Sequence, residues 1–136
     1  MSTPVSDLDE LLRGMRPVLH EGVYAYACLP HASDVQALEA VVTVHEAEGV
    51  TVVVDEAKAM AAGMPVLFRA AWITLEVHSD LQAVGLTAAF ATALAGAGIG
   101  CNVVAGAFHD HLFVPVEQRD AAMAALLALQ RNAAPS

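Results

Sequence analysis

The chain repeats part of itself, and this repeat restricts its possible folds more than any other feature. The segment VVVDEAKAMAA at residues 52–62 resembles FVPVEQRDAAMAA at residues 113–125. Each segment is typical of a buried strand followed by an acidic helix start and an alanine-methionine helix. Because internal repeats indicate duplicated structural units, we expect two related halves. Residues 1–65 would form the first half and residues 66–136 the second.

The second half carries the more complete pattern. Residues 71–78 alternate between apolar and polar side chains, which predicts a strand with one buried face. A helix is predicted over residues 86–97, a hairpin of strands over 101–107 and 112–116, and a final helix over 117–131. This order is that of a ferredoxin-like βαββα unit. The predicted class is therefore α+β, with antiparallel sheets and helices on one face.

The first half is predicted to be a degenerate copy. Its strands are expected over residues 22–29, 38–46 and 50–54, and a helix over 55–62. Only residues 30–37 join the first two strands. A segment of this length, if extended, can span a strand without a helix, so we expect no crossover helix here.

A short helix is predicted ahead of the first half. Apolar residues recur at helical spacing from Leu8 to Met15, Ser6 can cap a helix over residues 6–14, and Pro17 would end it. We expect this helix to cover the sheet face that the missing crossover helix leaves bare.

Composition excludes several classes of protein. With 57% hydrophobic and 15% charged residues among 136, the chain can bury a substantial core and is not of the disordered class. A net charge of -9 repels phosphate backbones, which excludes nucleic-acid binding. The apolar run at residues 83–99 is interrupted by glycines and predicts a buried helix, so no membrane association is expected. Cys28 and Cys101 are interpreted as reduced, buried residues of a cytoplasmic protein.

Aromatic side chains are expected on the sheet face opposite the helices. Strand alternation places Tyr24, Tyr26 and Trp72 there. Large aromatics on such a face indicate a buried contact between sheets or subunits more often than a ligand site. Pro115 lacks an N–H and should lie at a strand end or an unpaired edge.

The histidines suggest a metal site only weakly. His109 and His111 flank Asp110, and this trio could begin a Zn²⁺ or Fe²⁺ site. They fall in a predicted hairpin turn, however, and no third ligand is fixed by spacing. His78 could be a general base, but no nucleophile accompanies it. We therefore expect no metal, no cofactor and no enzyme activity.

The run VGL, helix, AGAGIGCNVV, hairpin, LFVPVE and final helix resembles the ACT regulatory domain, particularly those at the C-terminus of aspartate kinases. Over residues 6–131 the chain is similar to small stand-alone bacterial proteins with paired ACT-like halves, whose function is largely unassigned. It is similar, more weakly, to the ACT repeats of the eukaryotic cytosolic arginine sensor. The resemblance implies a regulatory protein that binds an amino acid and forms a homodimer.

In that family, amino acids lie between two ACT units, held by the loop after the first strand and by the start of the second strand. The resemblance therefore implies these ligand-binding residues: His78, Ser79, Asp80, Val84, Gly85, Leu86, Thr87, Gly100, Cys101, Asn102 and Val103. Free N–H groups at the start of the predicted helix suit a carboxylate. Aspartate kinases often place an asparagine directly after a glycine-isoleucine pair, whereas here Gly100 and Cys101 precede Asn102, which leaves the ligand's identity open.

The leading hypothesis is a small-molecule sensor that binds an amino acid and acts through its oligomer or a protein partner. Two alternatives stay open. One is a ligand-free interaction module whose open sheet face, around Trp72, binds a partner protein. The other is a metal-dependent enzyme that uses His109 and His111.

Overall fold

The computed structural model describes residues 7–31, 35–77 and 85–133. These residues fall into two compact units. The middle unit comprises Glu21–Ala71, and the terminal unit comprises the chain up to His20 and from Trp72 onward. Two 3-10 turns lie at Gln36–Leu38 and Val116–Gln118. The helices and strands, in chain order, are α1 (Leu8–Gly14), β1 (Arg16–Leu19), β2 (Tyr24–Leu29), β3 (Val42–His45), β4 (Val50–Asp55), α2 (Glu56–Ala61), β5 (Phe68–Glu76), α3 (Leu86–Gly96), β6 (Asn102–Ala105), β7 (Asp110–Pro115) and α4 (Arg119–Arg131).

The terminal unit has a ferredoxin-like sheet, as predicted. Its strand order is β1-β5-β7-β6, and β1 pairs with β5 while β6 pairs with β7, both antiparallel. Strand β1 was not predicted, because Pro17 was interpreted only as the end of a helix. In the structure Pro17 pairs with Leu75, which is possible where the missing N–H would point away from the partner strand. The start of the chain therefore supplies the fourth strand of this unit.

Helices α1, α3 and α4 pack against one another in the terminal unit. The prediction that the first helix covers the sheet of the first half is therefore wrong. A hydrogen bond holds the C-terminal end of α1, because Gln130 Nε2 donates to the carbonyl of Arg13 at 3.0 Å. Asp7 caps α1, with its Oδ1 accepting from the Glu10 N–H at 3.0 Å, whereas the predicted cap, Ser6, lies outside the described residues. The helices bury Leu11, Leu12, Phe90, Leu94 and Leu126.

The middle unit has the strand order β3-β4-β2-β5. Its fourth strand is the start of β5, where Phe68, Arg69 and Ala70 pair with β2. Between β2 and β3 the described residues contain only the 3-10 turn, in agreement with the predicted loss of the crossover helix. Strand β3 is shorter than predicted, because Glu39 adopts a left-handed conformation with φ 51° just after this turn. The core consists chiefly of Ala25, Ala27, Val50, Val52, Val54 and Ala59.

Three further predictions can be compared with the structure. Pro115 is the last residue of β7, as expected for a residue without an N–H. Cys28 and Cys101 are both free, but Cys28 is exposed and Cys101 is only half-buried, so their predicted burial is wrong for Cys28. Strand β2 places Cys28 on the face opposite the buried Ala25 and Ala27. Among the described residues no helix is long and apolar enough to cross a membrane.

Candidate functional site

The predicted binding residues that the structure describes, 85–87 and 100–103, lie at opposite ends of α3. His78, Ser79, Asp80 and Val84 lie outside the described residues. Gly85, Leu86 and Thr87 form the start of α3, whereas Gly100, Cys101, Asn102 and Val103 follow its end. The 11 residues of α3 extend about 16 Å at the usual helical rise. The structure therefore separates residues 85–87 from residues 100–103 within the terminal unit.

Gly85 stands at the N-cap of α3 with φ 101°, a conformation that favours glycine. No side chain caps the helix within the described part of the chain. A Cβ built on Gly85 would lie 3.3 Å from Leu8 Cδ2, so α1 already fills the side of the backbone where a side chain would stand. Glycine is thus required here by conformation and by packing.

The segment after α3 is an ordered helix end. Gly98 has φ 76°, and the Ile99 N–H donates to the Leu94 carbonyl at 2.9 Å. Asn102 opens β6 opposite Phe113, and its side chain is exposed. Burial raises the pKa of Cys101 to about 11. Of this second group, Gly100 and Asn102 are the exposed members, and only the Asn102 side chain offers a polar group to a ligand.

A second cluster joins β1, β5 and β7 on the sheet face opposite the helices. We call His20, Trp72, Thr74 and His111 the His–Trp cluster. The His20 ring stacks on the indole of Trp72 with ring centroids 3.5 Å apart and planes 8° apart. His20 Nε2 lies 2.7 Å from Thr74 Oγ1, which lies 3.2 Å from His111 Nδ1. The Trp72 Nε1–H donates to the same Nδ1 at 3.1 Å.

Burial favours the neutral form of both imidazoles of this cluster. It is the largest cause that lowers the pKa of His20 and of His111. The nearby imidazole of His111 lowers the pKa of His20 further, and His109 does the same for His111. Opposing contributions come from Glu76 on His20 and from Asp110 on His111. Burial also raises the pKa of Asp110 itself.

Part of this cluster could be predicted from the sequence. The alternation of β5 placed Trp72 on the open face, and the same rule puts Thr74 beside it. His20 was missed because β1 was not predicted. His111 was considered only as a metal ligand, yet its Nδ1 accepts a hydrogen bond from the indole. Within the described part of the chain, no three His, Cys, Asp or Glu side chains are placed to hold a metal ion.

In the middle unit, Tyr24 and Tyr26 occupy the predicted sheet face. Their neighbour Ala25 belongs to the core on the opposite face, and both tyrosines are half-buried. The Tyr26 ring meets Phe68 edge to face at a centroid distance of 5.5 Å. Burial, and secondarily Asp55, raises the pKa of Tyr24. These contacts lie within the middle unit, and the predicted role of the face in association stays a prediction.

Comparisons with known proteins agree with this fold. One family model for the ACT domain matches residues 3–71, and a second ACT domain model matches residues 67–128. A crystal structure from Vibrio cholerae, of a protein of unknown function and possible transport protein, is 45% identical with a TM-score of 0.83. That match covers 90% of this chain and 95% of the other. The comparison with curated proteins finds no match.

Two more distant structures share the fold alone. Protein Atu0741 from Agrobacterium tumefaciens is 16% identical with a TM-score of 0.67, and the match covers 85% of this chain and 89% of that one. The regulatory subunit of aspartate kinase from Thermus flavus is 11% identical with a TM-score of 0.62, with coverages of 85% and 96%. The family matches and the strand order of each unit lead to one conclusion: the chain belongs to the ACT domain family and carries two such domains in tandem.

Proposed function

We propose that this protein is a regulatory sensor that binds a small carboxylate ligand, most simply an amino acid. Two ACT domains span most of the chain, and ACT domains as a family are ligand-binding regulatory modules rather than catalytic ones. The sensor would transmit occupancy by favouring one of two arrangements of its oligomer, or of its complex with a protein partner.

The observation that carries this proposal is the uncapped start of α3. The first N–H groups of a helix have no partner within the helix, and together with the helix dipole they attract a carboxylate. At α3 no side chain of the described residues accepts a hydrogen bond from these N–H groups. Among its described residues, the corresponding crossover of the middle unit contains only a 3-10 turn, so we propose one such site per chain.

We further propose a homodimer in the cytoplasm. The described residues of the two predicted binding groups, 85–87 and 100–103, lie about 16 Å apart at opposite ends of α3, and we propose that an amino acid touches both groups where two chains meet. The start of α3 in one chain would then face Asn102 of another. The assignment to the cytoplasm rests on Cys28 and Cys101, which are both free, as is usual in a reducing compartment.

Thermal unfolding in the presence of each of the twenty amino acids tests the proposal. A ligand that binds only the folded state at 100 times its Kd stabilises that state by about 2.7 kcal/mol. We expect one amino acid, or a small related group, to raise the Tm at millimolar concentration. A flat response to all twenty would contradict the proposal.

An exposed-residue variant then tests the location of the site. Asn102→Ala should abolish the ligand-induced rise in Tm while leaving the unliganded Tm nearly unchanged, because surface substitutions usually shift stability by less than about 0.5 kcal/mol. Asn132→Ala is the matched control, since Asn132 is also exposed and lies beyond α4. Equal ligand responses in both variants would exclude Asn102 from the site.

The two alternatives receive no specific support. The Trp72 indole, expected to face a protein partner, makes its contacts inside the terminal unit with His20, His111 and Phe113. The metal-dependent enzyme would need a third ligand besides His109 and His111, and the described residues place none within reach.

A further inference from the structure

The hydrogen bond between Trp72 and His111 fixes the protonation state of one imidazole. An indole N–H can only donate, and it lies 3.1 Å from His111 Nδ1. That nitrogen must therefore carry a lone pair, and the proton of the neutral ring is on Nε2. Gly106 stands beside this Nε2, because a Cβ built on Gly106 would lie 3.3 Å from it.

Thr74 connects the two histidines of the cluster. Its side chain is buried, and its Oγ1 lies within hydrogen-bond distance of both His111 Nδ1 and His20 Nε2. A hydroxyl has one proton to donate. The single lone pair of His111 Nδ1 accepts from the indole, so the Thr74 hydroxyl can share it only as a weaker second donor; in that arrangement His20 donates its Nε2–H to Thr74 while both rings are neutral.

A proton on His111 Nδ1 breaks this arrangement. The imidazolium Nδ1–H can donate to Thr74 Oγ1, but the indole N–H of Trp72 would then face another N–H donor and lose its acceptor. A proton on His20 has no such effect. Its Nε2–H still donates to Thr74, and the indole face on which it stacks attracts a cation.

We propose that the His–Trp cluster is a pH-sensitive switch in the terminal unit: the contact between β5 and β7 at Trp72 holds while His111 is neutral and opens when His111 takes a proton on Nδ1. A displacement of the Trp72 side chain would also affect the backbone hydrogen bonds of its strand. Trp72 lies on β5 and accepts the His20 N–H at its carbonyl at 2.9 Å, so a displaced indole disturbs both neighbouring strands.

The charges around the cluster determine the pH at which the switch operates. On the β7 side, Asp110 favours the charged form of His111, whereas burial and His109 oppose it. On the β1 side, Glu76 acts on His20, but Arg16 Nε forms an ion pair with Glu76 at 3.3 Å. The pKa of His111 is lowered overall, so the switch opens below the ordinary histidine value of about 6.5.

The chain offers a direct readout, because Trp72 is its only tryptophan. A ¹H–¹⁵N spectrum therefore contains one indole N–H resonance. Titrated from pH 8 to pH 5, this resonance should move upfield as the indole loses its acceptor, with one midpoint below 6.5 and with far-UV circular dichroism unchanged. A resonance that stays in place over this range would overturn the proposal.

Two variants assign the transition. His111→Asn places an amide oxygen near the position of Nδ1, so the indole keeps an acceptor that cannot titrate; the upfield shift from loss of that acceptor should disappear, leaving only the shift caused by protonation of the stacked His20. His45→Asn is the control, since His45 is an exposed residue of β3, and its indole titration should match the wild type. If His111→Asn titrates like the wild type, His111 is not the switch.

A second measurement keeps the proposal testable should His111→Asn fail to fold. Long-range ¹H–¹⁵N spectra of the wild-type histidines report the tautomer of His111 directly. At pH 8 the proposal requires the proton on Nε2. A neutral His111 with its proton on Nδ1 would overturn the proposal without any variant.

Discussion

Cys28 and Cys101 are the same residue type in two different surroundings. Cys28 is exposed on β2, whereas Cys101 is half-buried just before β6, and burial raises its thiol pKa to about 11. The thiolate is the reactive form of cysteine. At pH 8 a thiol with this pKa is ionised in only about one molecule in a thousand.

We therefore expect the two thiols to react at different rates. With a chromogenic disulfide reagent at pH 8, Cys28 should react in a fast phase and Cys101 in a much slower one. Adding urea should make Cys101 fast, because unfolding exposes it. Cys28→Ser should remove only the fast phase, and two equally fast thiols in the native protein would contradict the expectation.

The sequence predicted correctly those residues whose placement depends on near neighbours along the chain. Trp72 was placed on the correct sheet face because strand alternation is local. The role of Asp7 was missed because both Ser6 and Asp7 are good caps, and only the position of α1 decides between them. The partnership of His20 with Thr74, 54 positions apart, has no local signature.

Helix α3 shows how one element uses glycine differently at its two ends. At its start, Gly85 has φ 101° and faces Leu8 of α1. At its last position, Gly96 has open space around it and no positive φ. Only the first position needs glycine.

Alanine substitutions should separate these two positions. Gly85→Ala should lower the free energy of unfolding by about 1–2 kcal/mol for its left-handed backbone alone, with a further loss from the contact with Leu8. Gly96→Ala should be neutral or stabilising by up to about 1 kcal/mol. Urea denaturation followed by circular dichroism measures both.

The contribution of packing can be isolated. In a Leu8→Ala background the contact is removed, so Gly85→Ala should cost less there than in the wild type. Equal costs in the two backgrounds would show that conformation alone requires the glycine. A neutral Gly85→Ala in the wild type would contradict the structure.

At the scale of elements, the strands predicted well were those with a long alternating pattern. Strand β5 was predicted over residues 71–78 and is observed over Phe68–Glu76, so the predicted strand begins three residues late and ends two residues late. Strand β1 was not predicted, because its four residues, RPVL, are too few to show an alternating pattern and include a proline. Its existence depends on pairing with β5 from Arg16 to Leu19, a long-range event.

For the whole molecule, the His–Trp cluster makes stability depend on pH. The pKa values of His20 and His111 are lowered in the folded state, so below about 6.5 the unfolded chain binds more protons than the folded one. This contribution to stability is complete above that pH and is lost as the pH falls through the folded pKa values. Asp110 has a raised pKa and acts with the opposite sign, in the more acidic range of carboxyl groups.

We therefore expect a lower urea midpoint at pH 5.5 than at pH 7.5 for the wild type. His111→Asn should show a smaller difference between the two pH values, because one of the two titrating groups is gone. The exposed His45→Asn serves as the reference and should behave like the wild type. A midpoint that rises on acidification would contradict the assigned direction.

The tandem organisation itself could be predicted from the repeat, and the family matches confirm it. The division into residues 1–65 and 66–136 stays a prediction. The compact terminal unit consists of two separate segments of the chain, since β1 pairs with β5 and the middle unit lies between them in the sequence.

This discontinuity has a consequence for the order in which the protein can fold during synthesis. The ribosome makes α1 and β1 first, but their partners α3, α4 and the later part of β5 emerge only after the middle unit, Glu21–Ala71. The ribosome adds about 5–20 residues per second. The side chains of Leu11, Leu12 and Met15, which are buried in the folded protein, would therefore stay exposed for several seconds until the residues that pack on them are made. Moving α1 and β1 to the C-terminus by circular permutation would remove this delay.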